Sequence, residues 1–454
     1  MHSHFVSSLL RQRVVALVVA LGVALAAAPA VAEGRLLSLD EALRTARAHQ
    51  PQLQVARAQA RVASARVGEA QVGYLPRVDA QAQYQRSTPN FLLSPMMVHT
   101  PLTKGYQANN LLGPGDTVNY YVFGVTATQL LYDFGRASSA VSQARAGVDA
   151  SQADARAASH TVALNVRLAY YSALAAQQLV QVGEETVRNQ QAHVGQIRRF
   201  VDGGQRTRFD LSSMELNLAN AELALARARN ALALAKVRLI TAMGTDGQAD
   251  FEIAEPASQG PDLERTPAEV LARSAEQRRP ELARIDAQLR AQKSAARGVR
   301  AGYLPTLTAV GNVSGAKVQG FDAGYDWYLG VGLNWNLFGG MLTTRQSEEA
   351  DAGIDVAAAQ RESARQAMRA EIQEQLLGIA DAQQRQLVSE RAVSTATERL
   401  HQAEDRFQTG AGDALDLDDA QVSVANAKAQ RVQARYDLAM SRARLRWAVG
   451  EDQP

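Results

Sequence analysis

The most concentrated chemistry in the sequence is an acidic cluster, Asp413, Asp416, Asp418 and Asp419, just beyond Phe407-Gln408-Thr409-Gly410. On a helix, Asp416 and Asp419 are three residues apart and share one face, with Asp418 pointing elsewhere. Carboxylates brought together attract cations, which makes the pair a candidate cation site. The same spacing also suits an acidic first turn set against the positive end of a helix dipole. Spacing alone leaves both readings open. A single acid, Asp210, occupies a similar place after Gly203-Gly204, with Arg206 and Arg208 beside it.

Little else points to catalysis. The histidines, at 2, 4, 49, 99, 160, 193 and 401, show no metal spacing such as H-E-x-x-H, and no G-x-S-x-G elbow or phosphate loop occurs. With no cysteine there is no disulfide, no thiolate zinc site and no cysteine nucleophile. Neither an enzyme nor a resident cofactor is expected. The 48 Lys and Arg nearly balance 46 Asp and Glu, which argues against a nucleic-acid partner.

The elements that position these acids follow from patterning. Aromatics make up only 6%, and stretches rich in Ala, Gln and Arg favour extended helices over a packed α/β body. Residues 1–32 read as a secretory signal: Arg11 and Arg13 precede an apolar run from Val14 to Ala28, and Ala30-Val31-Ala32 fits the cleavage rule. The mature chain then starts at Glu33, with no cysteine for lipid attachment. No later segment approaches a transmembrane helix, so the chain is either soluble in the periplasm or enters a membrane as strands.

The mature sequence is a tandem duplication. Glu41-Ala42-Leu43, Pro51-Gln52-Leu53 and Gly73-Tyr74-Leu75-Pro76 recur in order as Glu269-Val270-Leu271, Pro280-Glu281-Leu282 and Gly302-Tyr303-Leu304-Pro305. Asp133-Phe134-Gly135 is answered by Leu337-Phe338-Gly339, Phe200–Gly204 by Phe407–Gly412, and Ala242-Met243-Gly244 by Ala448-Val449-Gly450. The expected organisation is a first repeat at 33–250, a linker at 251–264 and a second repeat at 265–454.

Each repeat opens with a helix, capped at Ser38-Leu39-Asp40-Glu41 in one copy and started by Pro267 in the other; both should close on the glycine of the GYLP turn. Alternating strands follow. Val78, Ala80, Ala82 and Tyr84 oppose Arg77, Asp79, Gln81, Gln83 and Gln85; Tyr325 to Leu337 alternates more strongly still. Tyr74, Tyr303, Tyr325, Trp327, Trp335 and Phe338 stand where an interfacial girdle would place them. Proline-free helical runs from Ala137 to about Phe200 and from Leu342 to about Phe407 reach about 95–100 Å each. Closing helices of about half that length carry a three-four seam, Leu211, Met214, Leu218, Ala221, Leu225, Ala228, Leu232, Ala235, Leu239 and Ala242, whose counterpart is interrupted by Arg431 and Ser441. Four strands cannot close a barrel in lipid, whereas three chains would supply twelve.

This ordered set resembles the TolC family of outer-membrane factors over nearly the whole mature chain. The resemblance implies a mixed α and β fold: a homotrimer with a 12-stranded transmembrane β-barrel, four strands per chain, and a long periplasmic α-helical barrel. It implies a passive duct in outer-membrane lipid that works with a periplasmic adaptor and an inner-membrane ABC or proton-driven transporter. By the same resemblance Asp416 and Asp419 ring the periplasmic entrance, six carboxylates in a trimer. Asp210 belongs to a gate latch in which Phe407 holds an aromatic position and Gly412 stands in place of the usual arginine. Arg206 or Arg208 are the candidates to replace it. The loop from Ser87 to Asn119, with four prolines, should lie outside the cell. The unlinked terminus, altered latch and long loop favour type I protein or toxin secretion over multidrug or metal efflux. The reading of another class is a periplasmic coiled-coil scaffold.

Overall fold

A computed structural model describes residues 35–87, 117–247, 249–256, 263–318, 322–409 and 411–451. The signal segment, the body of the Ser87–Asn119 loop and Gly410 lie outside the described residues. The first repeat runs β1 (Arg35–Leu37), α1 (Leu39–His49), α2 (Pro51–Gln71), β2 (Arg77–Ser87), β3 (Val118–Tyr132), α3 (Arg136–Asp202) and α4 (Arg208–Met243). After β4 (Phe251–Ile253), the second runs α5 (Ala268–Arg278), α6 (Pro280–Arg300), β5 (Thr306–Val318), β6 (Gly324–Asn334), α7 (Leu342–Gln408) and α8 (Ala414–Val449). Helix lengths of 11, 21, 67 and 36 residues occur in both copies, in the same order. The expected linker is more than a connector, because β4 pairs in parallel with β1. The hydroxyl of Tyr170 lies 2.9 Å from the Leu37 carbonyl and 2.6 Å from that of Ala254, tying this small sheet to α3.

Two local expectations need correction. Each opening helix is broken in two, because Gln50 and Arg279 precede prolines that push them out of the helical region (ψ 118° and 120°). The Ser38 hydroxyl does accept from the Glu41 amide, at 3.2 Å. Nor do the GYLP glycines close helices in the left-handed conformation. Among the described glycines that conformation belongs to Gly135, Gly204, Gly244, Gly340 and Gly450. Both helices instead tighten into 3₁₀ turns at Val72–Tyr74 and Ala301–Tyr303 before the extended residue that precedes each proline.

The true closures, Gly244 and Gly450, explain the breaks. A Cβ on Gly244 would lie 2.5 Å from the Gln50 Cα, and one on Gly450 would lie 3.1 Å from the Arg278 Cβ. Gln50 Nε2 also donates to the Thr241 and Ala242 carbonyls, at 3.3 and 3.0 Å. So α4 meets α2 end to end, as α8 meets α6, each broken rod lying along the unbroken α3 or α7. The second Phe-Gly pair is also not the equivalent of the first. The left-handed pair before α3 is Phe134–Gly135, whereas before α7 it is Gly340–Met341. Asp133 fixes the first junction by accepting from the Gly135 and Ala137 amides at 3.1 and 2.6 Å, and no such side chain stands at Gly339.

The antiparallel sheet has the order β2-β3-β5-β6, and its register aligns the faces read from sequence. One row joins Ala82, Phe123, Gly315 and Tyr325; the next joins Ala80, Val125, Val313 and Trp327; the next Val78, Ala127, Gly311 and Leu329. The opposite face carries Gln81, Thr126, Asn312 and Tyr328, where the Asn312 amide donates to Thr126 Oγ1 at 2.8 Å. A Cβ on Gly315 would meet the Phe123 ring at 2.3 Å, so any side chain there obliges that exposed ring to swing aside. All six girdle aromatics are exposed, although β6 ends at Asn334, so that Trp335 and Phe338 stand beyond the strand.

Candidate functional site

The free ends of the two helical hairpins carry the acids singled out above. In the first hairpin, Gly204 turns the chain at φ 71° and the Gln205 amide returns to the Phe200 carbonyl at 2.8 Å. Thr207 then starts α4 through a capping box. Its hydroxyl accepts from the Asp210 amide at 3.3 Å, and its own amide donates to Asp210 Oδ2 at 3.0 Å. Asp210 is thus engaged with the start of its own helix.

In the second hairpin the Ala411 and Gly412 amides both donate to the Arg406 carbonyl, at 2.9 and 2.8 Å. A Cβ on Gly412 would lie 3.0 Å from the Arg406 carbonyl carbon and the Phe407 nitrogen. A side chain at this position would therefore crowd the backbone of the turn. Across the repeats, Arg206 Nη2 donates to the Gly412 carbonyl at 3.1 Å, and its guanidinium stands 4.7 Å from the Phe407 ring centroid. Phe407, 4% exposed, is held among Ile197, Met214 and Leu417, with the Phe200 ring 6.4 Å away. Arg208 is exposed and has no polar partner among the described residues.

Asp416 and Asp419 are both exposed on α8. Arg406 approaches Asp416 at 3.9 Å with both side chains open to solvent, a weak interaction. Asp418 turns the other way, between Gln190 of α3 and Asn217 of α4. Burial pushes its carboxyl above the usual range and Asp419 adds to this, while hydrogen bonds to Gln190 and Asn217 oppose the rise. Around it are buried polar atoms without partners among the described residues: Asp418 Oδ1, Gln190 Oε1 and both amide atoms of Gln421. Sequence reasoning missed the two glutamines, although Gln421 follows the seam residue Ala420 and so borders the buried face. About two helical turns beyond, Lys428 pairs with Glu185 at 2.7 Å. On α3, burial lowers the pKa of His193, which Glu404 opposes. Among the described residues no group of His, Asp and Glu is arranged to hold a metal ion, and no helix is long and apolar enough to cross a membrane.

The hairpins are not equally covered. α8 packs against both α7 and α3, and its seam is buried apart from Arg431, which faces solvent. α4 packs chiefly on α3 and leaves Leu216, Leu223, Leu234 and Val237 exposed. The duplication says what is missing: α3 meets α6 and α8 within the chain, but among the described residues α7 makes no corresponding packing contact with α2 or α4, just as β6 and β2 are not paired.

A sequence profile described as outer membrane efflux protein matches residues 42–245 and 271–451. Among solved structures, CusC, reported for folding and transmembrane channel formation, superposes with a TM-score of 0.77 at 18% identity, covering 91% of this chain and 92% of that one. The outer membrane protein VceC of Vibrio cholerae gives 0.74 at 19% identity, covering 91% and 96%. The open state of the Neisseria gonorrhoeae MtrE outer membrane channel gives 0.74 at 19% identity, covering 91% and 88%. Comparison with curated proteins returned no match.

Proposed function

Because the chain belongs to the outer membrane efflux protein family, we propose that three copies form a passive exit duct through the outer membrane and periplasm, fed by an inner-membrane transporter through a periplasmic adaptor. The observation that carries the assembly is the set of contacts made once inside the chain and missing in its duplicate. Joining β6 to the next copy's β2, and α7 to its α2 and α4, satisfies all of them together and removes the open sheet edges that lipid does not tolerate. Twelve strands result, in the range of bacterial barrels. Asp416 and Asp419 then form the entrance ring and Arg206 with Phe407 the closed-state latch. The cargo is a small solute of the efflux kind. Cysteines placed at Glu222 and Arg391, the exposed positions that answer Lys428 and Glu185 in the duplicate, test the assembly: oxidative cross-linking should yield covalent trimers, and exclusively monomeric protein in detergent would refute it.

The second reading, an ABC transporter delivering a protein or toxin, is favoured by the latch, which is rebuilt around Gly412. Deletion of the gene separates the two. Loss of tolerance to toxic solutes fits efflux; loss of one secreted protein with tolerance intact fits secretion.

A further inference from the structure

The structure assigns a second, unrelated binding surface just below the barrel: a groove of about 610 Å³ between α3 and α6 that takes the phosphate headgroup of an anionic phospholipid from the periplasmic leaflet. Its walls carry Arg145, Arg290, Lys293, Arg297 and Arg300 against one carboxylate, Asp149. All five cations are exposed. Arg290 pairs with Asp149 at 2.9 Å and Arg300 with Asp351, while Arg297 donates to the Ser294 hydroxyl. Arg145, Lys293 and Arg297 have no carboxylate partner among the described residues, so the groove keeps unneutralised charge.

The duplication provides an internal control. Matched along the equal helices, the same six positions in the other repeat are Asp351, Asp355, Arg61, Ser64, Gly68 and Gln71. Five cations against one acid become one cation against two. The matched pairing, α7 with α2, forms only between neighbouring copies in the trimer proposed above, so the comparison is between the same helix pairing within and between chains.

The occupant follows from position, given the outer-membrane placement above on which this inference rests. Arg300 directly precedes the turn into β5, and Lys293 lies about 10 Å lower along the helix. That is headgroup depth beneath a lipid-facing sheet, where clustered Lys and Arg attract anionic lipid. Ile354 adds an apolar patch to the lining beside the charges.

Native mass spectrometry of the detergent-solubilised full assembly tests this with dioleoylphosphatidylglycerol, dioleoylphosphatidylcholine and inorganic phosphate as probes. Phosphatidylglycerol should be retained preferentially. Lys293→Gln with Arg297→Gln should weaken that retention by about thirtyfold, the effect of two surface cations, while Arg61→Gln leaves it unchanged. Equal retention of the two lipids, an unaffected double variant, or phosphate binding as well as the lipid overturns the assignment. A photoreactive phosphatidylglycerol on the wild-type protein gives an answer independent of variant folding. Cross-links within residues 142–149 or 290–300 support the groove, and cross-links elsewhere only refute it. Fractionation of the same protein with the outer membrane, with the lipid preference absent, refutes the groove and leaves the duct intact.

Discussion

Arg206 of the first repeat covers the ring of Phe407 in the second, 4.7 Å from its centroid, while holding the carbonyl of Gly412. One side chain thus joins two hairpin turns about two hundred positions apart in the sequence. A cation over an aromatic face and a charge-assisted hydrogen bond each contribute about 1 kcal/mol at such half-open sites.

Arg206→Ala should loosen the tip. In planar bilayers the variant should open more often or conduct more than the wild type, and limited proteolysis should cut near Gly203 faster. Arg206→Lys keeps the charge but not the planar fork, and should restore part of the closure. Equal conductance in all three would remove Arg206 from the latch.

Gly412→Arg places the resembled family's residue where this chain has none. Its Cβ would press on the Arg406 carbonyl carbon and the Phe407 nitrogen at 3.0 Å, so the turn must deform. Amide exchange around residues 405–415 should accelerate. A protected turn in this variant would show that the glycine is not needed for space.

Asp418 predicts a pH response with a definite sign. Burial raises its folded-state pKa, so folding favours the protonated form. The stabilisation is complete below the ordinary carboxylate value and is withdrawn as pH rises through the raised one. Protection at the α3–α8 contact, with the intrinsic pH dependence of amide exchange divided out, should therefore rise as the medium is acidified towards the usual carboxylate range. Asp418→Asn should abolish that dependence and be firmer than the wild type at neutral pH. A pH profile shared by both proteins would assign the response to another group.

Asp416→Ala with Asp419→Ala should weaken block by multivalent cations in single-channel recordings, because both carboxylates are exposed on one side of α8. Unchanged block would leave them as an acidic helix start with no pore role.

Much of the architecture was legible because it is written twice. Matching landmarks gave the repeats, and alternation in Tyr325–Leu337 gave the sheet face that the register then completed. What sequence could not supply were contacts decided across the duplication. Gln50 and Arg279 looked like helix interior, yet each precedes a proline, and the end of a distant helix abuts Gln50 in one copy and Arg278, one residue earlier, in the other. The two Phe-Gly pairs looked equivalent, but the left-handed residues lie two positions later in the second copy relative to its motif. At the tip, Asp416 and Asp419 could be read as sharing a face, whereas the burial of Gln190 (3% exposed) and Gln421 (8%) depends on how α3 meets α8. Arg206 was one of two candidates, and only the fold distinguishes it from Arg208.

The abutment of Gly244 on Gln50, and of Gly450 on Arg278, makes the cylinder a stiff gauge. Its height is set once by an unbroken 67-residue rod and again by two shorter rods meeting tip to tail. Excising a single heptad from α3 would shorten that wall by about 10 Å and pull the abutment out of line. A shorter or longer duct therefore requires matched cuts at one level in every rod, so a change in the distance between the two membranes must be answered by whole layers of sequence.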